Sequence, residues 1–405
     1  MNFFNKYIKK TEETLLPQIT FAKEMGFYPY FKKLCSEQGP VVQMNGKKVI
    51  MLGSNNYLGM TNNSKVKAAA KQAIDEFGVG STGSRLLNGT MNLHVELEHR
   101  LADFFNKESA VVFSTGMQAN LGALSCFLNK DDWVISDQQN HASIIDGIRL
   151  GKIKRDHKLI YNHCDMEDLE RCLKKVPKDE RALIVTDGVF SMEGDVAPLK
   201  EITDLAETYE AGVYVDDAHS VGVLGENGRG TANHFGVEDK VDVIMGTFSK
   251  SFASIGGYIA ASEELCTWVR HQARSFIFSA SGPPAAMATV LAVLDIIEND
   301  DSIRKRLWKN TKKMKQGYQE IGFNIGNSET PIIPIIIGDE QKTFMFAKQL
   351  MNETPISVYT NPVRPPATPP GRELIRTSCL ATLQEDTIDN AISILSNNAA
   401  SLEIV

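Results

Sequence analysis

The chain is predicted to be an α/β protein in which a large domain, built on a mostly parallel seven-stranded sheet, is joined to a smaller α+β domain at the C-terminal end. Three observations predict it. Seven short apolar runs, separated mostly by helical or loop segments, span Ala110 to Phe113, Trp133 to Ile135, Leu159 to Tyr161, Ala182 to Thr186, Val213 to Val215, Val241 to Met245 and Tyr258 to Ala261. Runs of that kind suit a largely parallel sheet covered by helices on both faces. The composition changes at Gly282-Pro283-Pro284, where the large domain is expected to end. Finally, a length of 405 residues with 42% hydrophobic and 23% charged residues fits a soluble chain with one large unit and a smaller partner. The expected division is residues 1–60 as an N-terminal segment joining the small domain, 61–284 as the large domain and 285–405 as the small one.

Taken in order, Phe3, Phe4, Tyr7 and Ile8 fall at helical spacing beside Lys6, Lys9 and Lys10. That pattern suits docking on a partner subunit or on a membrane surface, and the shortness of the segment favours protein. No apolar run approaches the roughly 18 residues of a membrane span, and no long apolar stretch marks a secretory signal. Six cysteines without a CxxC pair suit a reducing cytoplasm, and a net charge of −7 argues against a nucleic-acid binder. Val41-Val42 and residues 48–52 read as a small hairpin leading to the amide-rich loop Gly53-Ser54-Asn55-Asn56-Tyr57-Leu58-Gly59. A helix is expected over Ser64 to Phe77, ended by Gly78. Residues 78–83 match G-x-G-x-x-G, yet they follow a helix rather than a strand, so tight turning explains the glycines better than a dinucleotide. Leu93 to Phe105 is a further amphipathic helix. A long helical tract from about Ala285 to Ile321, a buried strand at 331–337, a helix at 343–351, a Pro-braced loop at 361–371 and a strand at 374–378 complete the prediction.

In open parallel sheets ligands bind beyond the carboxyl ends of the strands, so chemistry is expected just after each run. Ser114-Thr115-Gly116-Met117 opens a helix after the first run and offers free N–H groups to an anion such as phosphate. His141 follows the second run, Asp187 to Ser191 the fourth, and Asp216-Asp217-Ala218-His219 the fifth. Lys250, in Gly246-Thr247-Phe248-Ser249-Lys250-Ser251, sits between two strands among hydroxyls and backbone donors, where an amine sheds its proton more easily. Asp-Asp-x-His could be half of a metal site, but close-spaced His or Cys ligands are lacking, and His157 and His163 lie in a polar stretch without such spacing; no metal is expected. Lysine, carboxylate, phosphate loop and an arginine fork on the second domain are together what pyridoxal phosphate (PLP) and an amino-acid substrate require.

The motifs Asn55-Asn56-Tyr57-Leu58-Gly59, Gly83-Ser84-Arg85, Asn140-His141-Ala142-Ser143, residues 187–195, Val215 to Ser220 and Gly246 to Lys250 give the chain, from Gly26 to Thr382, a specific resemblance to the α-oxoamine synthases. These are fold-type I PLP enzymes that condense an amino acid with an acyl-CoA. The resemblance implies that Lys250 bonds the cofactor aldehyde, Asp216 pairs with the pyridinium, His219 hydrogen-bonds the ring oxygen and His141 stacks on the ring. Gly116, Met117 and Thr247 would hold the phosphate, and Ser191 would support the ring. Ser279 and Ala280 would reach the neighbouring subunit's phosphate, which implies a homodimer with active sites at its interface. Asn55, Tyr57, His141, Arg364 and Arg376 are implied on the substrate side, Arg376 as carboxylate binder. Thr247 to Ser251, Gly26 to Phe31 and Pro365 to Pro369 resemble the members that use L-serine and a long-chain acyl-CoA. Relatives using glycine with acetyl-CoA or alanine with pimeloyl-CoA remain alternatives, as does a catalytically silent partner subunit, against which Lys250 speaks. The expected location is the cytoplasm, with peripheral contact at the inner membrane as an open alternative.

Overall fold

A hairpin of β1 (Val41–Met44) and β2 (Lys47–Met51) turns at Asn45-Gly46, with φ of 50° and 77°. Two consecutive positive φ angles are what a two-residue hairpin loop requires, and Asn-Gly supplies them at little steric cost. The computed structural model describes residues 2–13, 15–26 and 28–405; Met1, Thr14 and Phe27, the last within the Gly26 to Phe31 segment, lie outside the described residues.

The seven predicted runs form one sheet from β3 (Ser109–Phe113), β4 (Trp133–Asp137), β5 (Lys158–Tyr161), β6 (Ala182–Asp187), β7 (Gly212–Asp216), β8 (Val243–Thr247) and β9 (Gly257–Ala261). Their order is β3-β9-β8-β7-β6-β4-β5. Strands β8, β7, β6, β4 and β5 are mutually parallel, and β9 alone runs against both of its neighbours. Alternation along each strand divides the side chains between two faces. Val111, Phe113, Val134, Val185, Tyr214 and Ile259 pack with Ala119 and Leu124 of helix Gly116–Phe127 and Ile144 of helix Ala142–Leu150. Val112, Ile135, Ile184, Val215, Ile244 and Tyr258 pack on the opposite side with Leu101 and Ile202. Both faces are therefore covered, and the polar groups of the site are left at the carboxyl rim.

In the C-terminal part, β10 (Ile332–Ile336), β13 (Leu374–Ser378) and β12 (Asn361–Val363) form an antiparallel sheet in the order β10-β13-β12. A parallel pairing of β11 (Ser357–Tyr359) with β2 ties the N-terminal hairpin to this region. Two expectations need correction. The long helical tract expected from about Ala285 to Ile321 is two helices, Pro284–Asn299 and Ser302–Ile321, because Asp300 is extended (φ −134°, ψ 91°) and its carboxylate accepts the Ser302 N–H at 3.0 Å. Aspartate competes with helix in this way wherever its side chain can bond the backbone ahead. The Pro-braced loop also begins as a strand, β12, before leaving the sheet.

Helix Pro284–Asn299 packs on helices Ser64–Phe77 and Asn92–Phe105. Helix Phe3–Glu12 forms as its spacing predicts and buries none of its residues. Among the described residues, no helix is long and apolar enough to cross a membrane.

Candidate active site

A cavity of about 330 Å³ opens beyond the carboxyl ends of β3, β4, β6, β7 and β8, lined by Gly116, Met117, His141, Ser191, Asp216, His219, Thr247 and Lys250 together with Asn120, Ser143, Asp187 and Ile255. Asp187, Asp216 and Thr247 end their strands and the other lining residues lie on the segments that follow, so the parallel sheet gathers groups that lie far apart in sequence. At the floor, Thr115 begins helix Gly116–Phe127 and its hydroxyl accepts the Gln118 N–H at 3.1 Å. The amides of Gly116 and Met117, first in the helix, stay outside its own hydrogen bonding, the arrangement in which a helix start can receive an anion. A Cβ at position 116 would lie 2.8 Å from both Cβ and Oγ1 of Thr247, so only glycine lets the helix start meet the β8 loop.

Asp216, at the end of β7, is 3% exposed. Its Oδ2 accepts from Asn120 Nδ2 at 2.7 Å and its Oδ1 from the Ala218 N–H at 3.0 Å. Asn120 is itself oriented by the Tyr214 hydroxyl, which donates to Asn120 Oδ1 at 2.8 Å. The same amide reaches Ser143 Oγ at 2.8 Å, and Ser143 Oγ lies 2.7 Å from His141 Nδ1. Since the Ser143 N–H also points at Nδ1, that nitrogen is the acceptor and the His141 proton sits on Nε2. Burial lowers the His141 pKa, with Asp216 opposing and Lys250 reinforcing the shift. Burial likewise brings Lys250 down to about 8 against the pull of Asp216 and Asp187. Asp187 accepts the His141 N–H at 2.7 Å; burial, then the Asp216 charge, push its pKa well up.

Behind this wall lies a second polar layer. His219 Nδ1 is 2.7 Å from the Tyr57 hydroxyl. Burial, then Lys250 and Arg376, hold His219 well below its ordinary pKa, while burial raises that of Tyr57. Arg376 Nη2 donates to Asn55 Oδ1 at 2.9 Å and to the Tyr57 oxygen at 3.4 Å, Nη1 donates to Ser378 Oγ at 3.0 Å, and Nε donates to the Ser191 carbonyl. The Tyr57 hydroxyl has two acceptors in reach, Asn55 Oδ1 at 3.3 Å and His219 Nδ1 at 2.7 Å; donation along the shorter contact, to His219, leaves the His219 proton on Nε2.

Of the residues singled out in the sequence, eight line the cavity, while Asn55, Tyr57 and Arg376 back it. Arg364 stands apart, exposed and paired with Glu340 at 2.6 Å. Ser279 and Ala280 lie beside the floor and not in the lining: Gln118 Nε2 donates to Ser279 Oγ at 2.9 Å, and Ala280 bridges to Ser84. Sequence reasoning passed over Asn120, Ser143 and Asp187 as individuals. Their position after strand ends was the available signal.

The family Aminotransferase class I and II matches residues 47–395. A serine palmitoyltransferase from Sphingobacterium spiritivorum is 47% identical over 370 residues, 91% of each chain. An 8-amino-7-oxononanoate synthase from Bacillus subtilis is 44% identical over 396 residues, 98% of this chain and all of that one. The solved structure of SPT with PLP internal aldimine superposes with a TM-score of 0.94 at 34% identity, each chain covered in full. On a match spanning most of its length, this chain belongs to the aminotransferase class I and II family, within the α-oxoamine synthase group that holds these relatives.

Proposed function

We propose that the chain is a PLP-dependent acyltransferase that condenses L-serine with a long-chain acyl-CoA, releasing coenzyme A and carbon dioxide and leaving a 3-keto amino alcohol. The observation that carries this reading is a buried lysine amine, its pKa lowered by burial to about 8, set in one cavity with a fixed carboxylate above a helix N-terminus. The cavity fits PLP. Gly116 and Met117 amides with Thr247 form a phosphate cradle that a Cβ would fill, and Asp216, held by two donors, has acceptor capacity left for a ring N–H.

When bound, PLP supplies the electron sink for a carbanion at the substrate α-carbon. Asp216 keeps the ring nitrogen protonated, which makes that sink effective. His219 offers Nε2–H to the ring oxygen, and Tyr57 holds it in that tautomer. His141 lines the cavity with its proton on Nε2 and would lie along one side of the ring. Lys250, whose pKa is lowered to about 8, is a free base at mildly basic pH and would take the α-proton at Nζ. Arg376 binds the substrate carboxylate as a fork, which requires the carboxylate to replace Asn55 Oδ1 on Nη2. Arg364 would have to leave Glu340 to share that role.

Serine and a long acyl chain are favoured by the Thr247 to Ser251 and Pro365 to Pro369 segments and by the Sphingobacterium relative. An 8-amino-7-oxononanoate synthase activity is the second reading, because the Bacillus relative is only slightly less similar. For assembly we propose a homodimer. Leu87 and Phe278 are 79% and 75% exposed on adjoining segments, where the Ser281 N–H donates to Gly83 O at 2.9 Å, beside the cavity. A second copy covering that patch would bring Ser279 and Ala280 to its partner's phosphate cradle. The exposed aromatic face of helix Phe3–Glu12 suits the same subunit or an anionic membrane surface.

The test is reconstitution with PLP. The wild type is expected to hold a chromophore near the visible edge that serine perturbs, and Lys250→Ala to lack the wild-type band. A colourless wild type would refute the enzyme reading.

A further inference from the structure

Beside the cavity, apart from the residues given roles above, one histidine stands between two carboxylates. His163 Nδ1 is 2.9 Å from Asp137 Oδ1, and Nε2 is 2.7 Å from Asp195 Oδ2. An ionised carboxylate only accepts, so a ring bonded to two of them donates from both nitrogens and is an imidazolium. Burial by itself would lower the pKa of His163; hydrogen bonds to Asp137, Asp195 and Cys164 outweigh it and push it up to about 12. The neighbouring titratable groups are Cys164, Tyr161 and Asp187 on the Asp137 side and Arg372, paired with Glu193, on the Asp195 side. Asp137, His163 and Cys164 have ligand atoms within 4.8 Å of one another, the spacing that the sequence did not reveal. With both ring nitrogens donating, however, no nitrogen lone pair is left for a metal ion.

Each carboxylate lies close in sequence to a different residue of the cavity lining, Asp137 to His141 and Asp195 to Ser191. Asp137 ends β4, and its Oδ1 also accepts the Gln139 N–H at 2.8 Å while Oδ2 accepts the Cys164 N–H at 2.9 Å. This shapes the turn that delivers His141. Asp195 closes the loop after β6, where its carbonyl accepts the Phe190 N–H at 3.0 Å, one residue before Ser191. The Phe190 ring meets His163 edge-on, with centroids 4.3 Å apart.

We propose that His163 is a positioning residue, a cationic strut that holds the His141 turn and the Ser191 loop at a fixed separation across the cavity wall. The strut itself needs no cofactor; its consequence for a bound ring rests on the reading of the cavity as a PLP site. Nitrogen-15 NMR of histidine-labelled, cofactor-free protein between pH 6 and 9.5 tests the strut. Both His163 nitrogens are expected to stay protonated throughout, in a signal assigned by its response to Asp195→Asn, which should bring the titration down into this range. A ring that loses a proton within this range in the wild type, or a titration indifferent to Asp195→Asn, would overturn the proposal. In His163→Gln, PLP affinity should fall roughly tenfold and the induced circular dichroism of bound PLP should shrink, because small misplacements of positioning groups are costly. Lower melting temperature with unchanged affinity and dichroism would reduce His163 to a structural role and refute positioning. Failure of the wild type to take up PLP would refute the cavity reading instead, and the nitrogen signals would still decide the strut.

Discussion

Lys250 shows how position sets chemistry. Its value of about 8 lies below the roughly 10.4 of an unfolded lysine, so the fold disfavours the charged amine. The sign follows from linkage: the penalty on stability is present in full below about pH 8 and fades as pH rises toward the unfolded value. Uptake of PLP by cofactor-free protein should therefore accelerate with pH through a midpoint near 8, read by stopped-flow absorbance. A midpoint above 10 would mean that the amine is not buried in solution. Tyr57 carries a second expectation. Tyr57→Phe leaves His219 Nδ1 buried without its donor, at a cost of about 1–3 kcal/mol, and frees the imidazole to take the other tautomer. Thermal unfolding should show the loss, and the bound chromophore should shift because the ring oxygen loses a fixed donor. An unchanged spectrum would break the proposed link between Tyr57 and the cofactor.

At the scale of elements, the meeting of helix Gly116–Phe127 with the β8 loop is the least forgiving contact. Gly116→Ala forces a methyl into Thr247, and overpacking of this kind costs about 1–3 kcal/mol. Phosphate affinity should fall with it, measured as PLP dissociation; wild-type affinity would place the cradle elsewhere. The strands around this contact were legible because β3 to β9 are short, apolar and separated by helical or loop segments. Their order was not, since nothing local in Tyr258 to Ala261 says that β9 inserts between β3 and β8 in the opposite direction. The break at Asp300 was masked for a different reason. Apolar and charged helix formers flank it on both sides, and the signal for the break is the short run of capping residues Asn299-Asp300-Asp301-Ser302, where the Asp300 carboxylate accepts the Ser302 N–H.

Across the whole molecule, the cavity joins groups separated by more than 130 residues, and this explains what the sequence could and could not reveal. Lys250, Asp216, His141 and Gly116 were readable because each follows a recognisable strand and carries a side chain or turn suited to the cofactor. Asn120 and Asp187 were not, because their value lies in partners on other elements, Asp216 at the end of β7 and the His141 amide at a helix start. His163 was seen only as one histidine in a polar stretch until the fold set it between Asp137 and Asp195. A homodimer should sediment at twice the 44.8 kDa chain mass, and Phe278→Glu should shift it toward monomer with loss of turnover. A fully active monomer would remove the shared-site reading.

The central claim concerns what the cavity condenses. Coenzyme A release measured across serine, glycine and alanine against acetyl-, pimeloyl- and palmitoyl-CoA tests it most directly. The account predicts the highest kcat/KM for serine with palmitoyl-CoA, since each buried methylene of the acyl chain adds about 0.8 kcal/mol. A maximum at alanine with pimeloyl-CoA, or at glycine with acetyl-CoA, would contradict it.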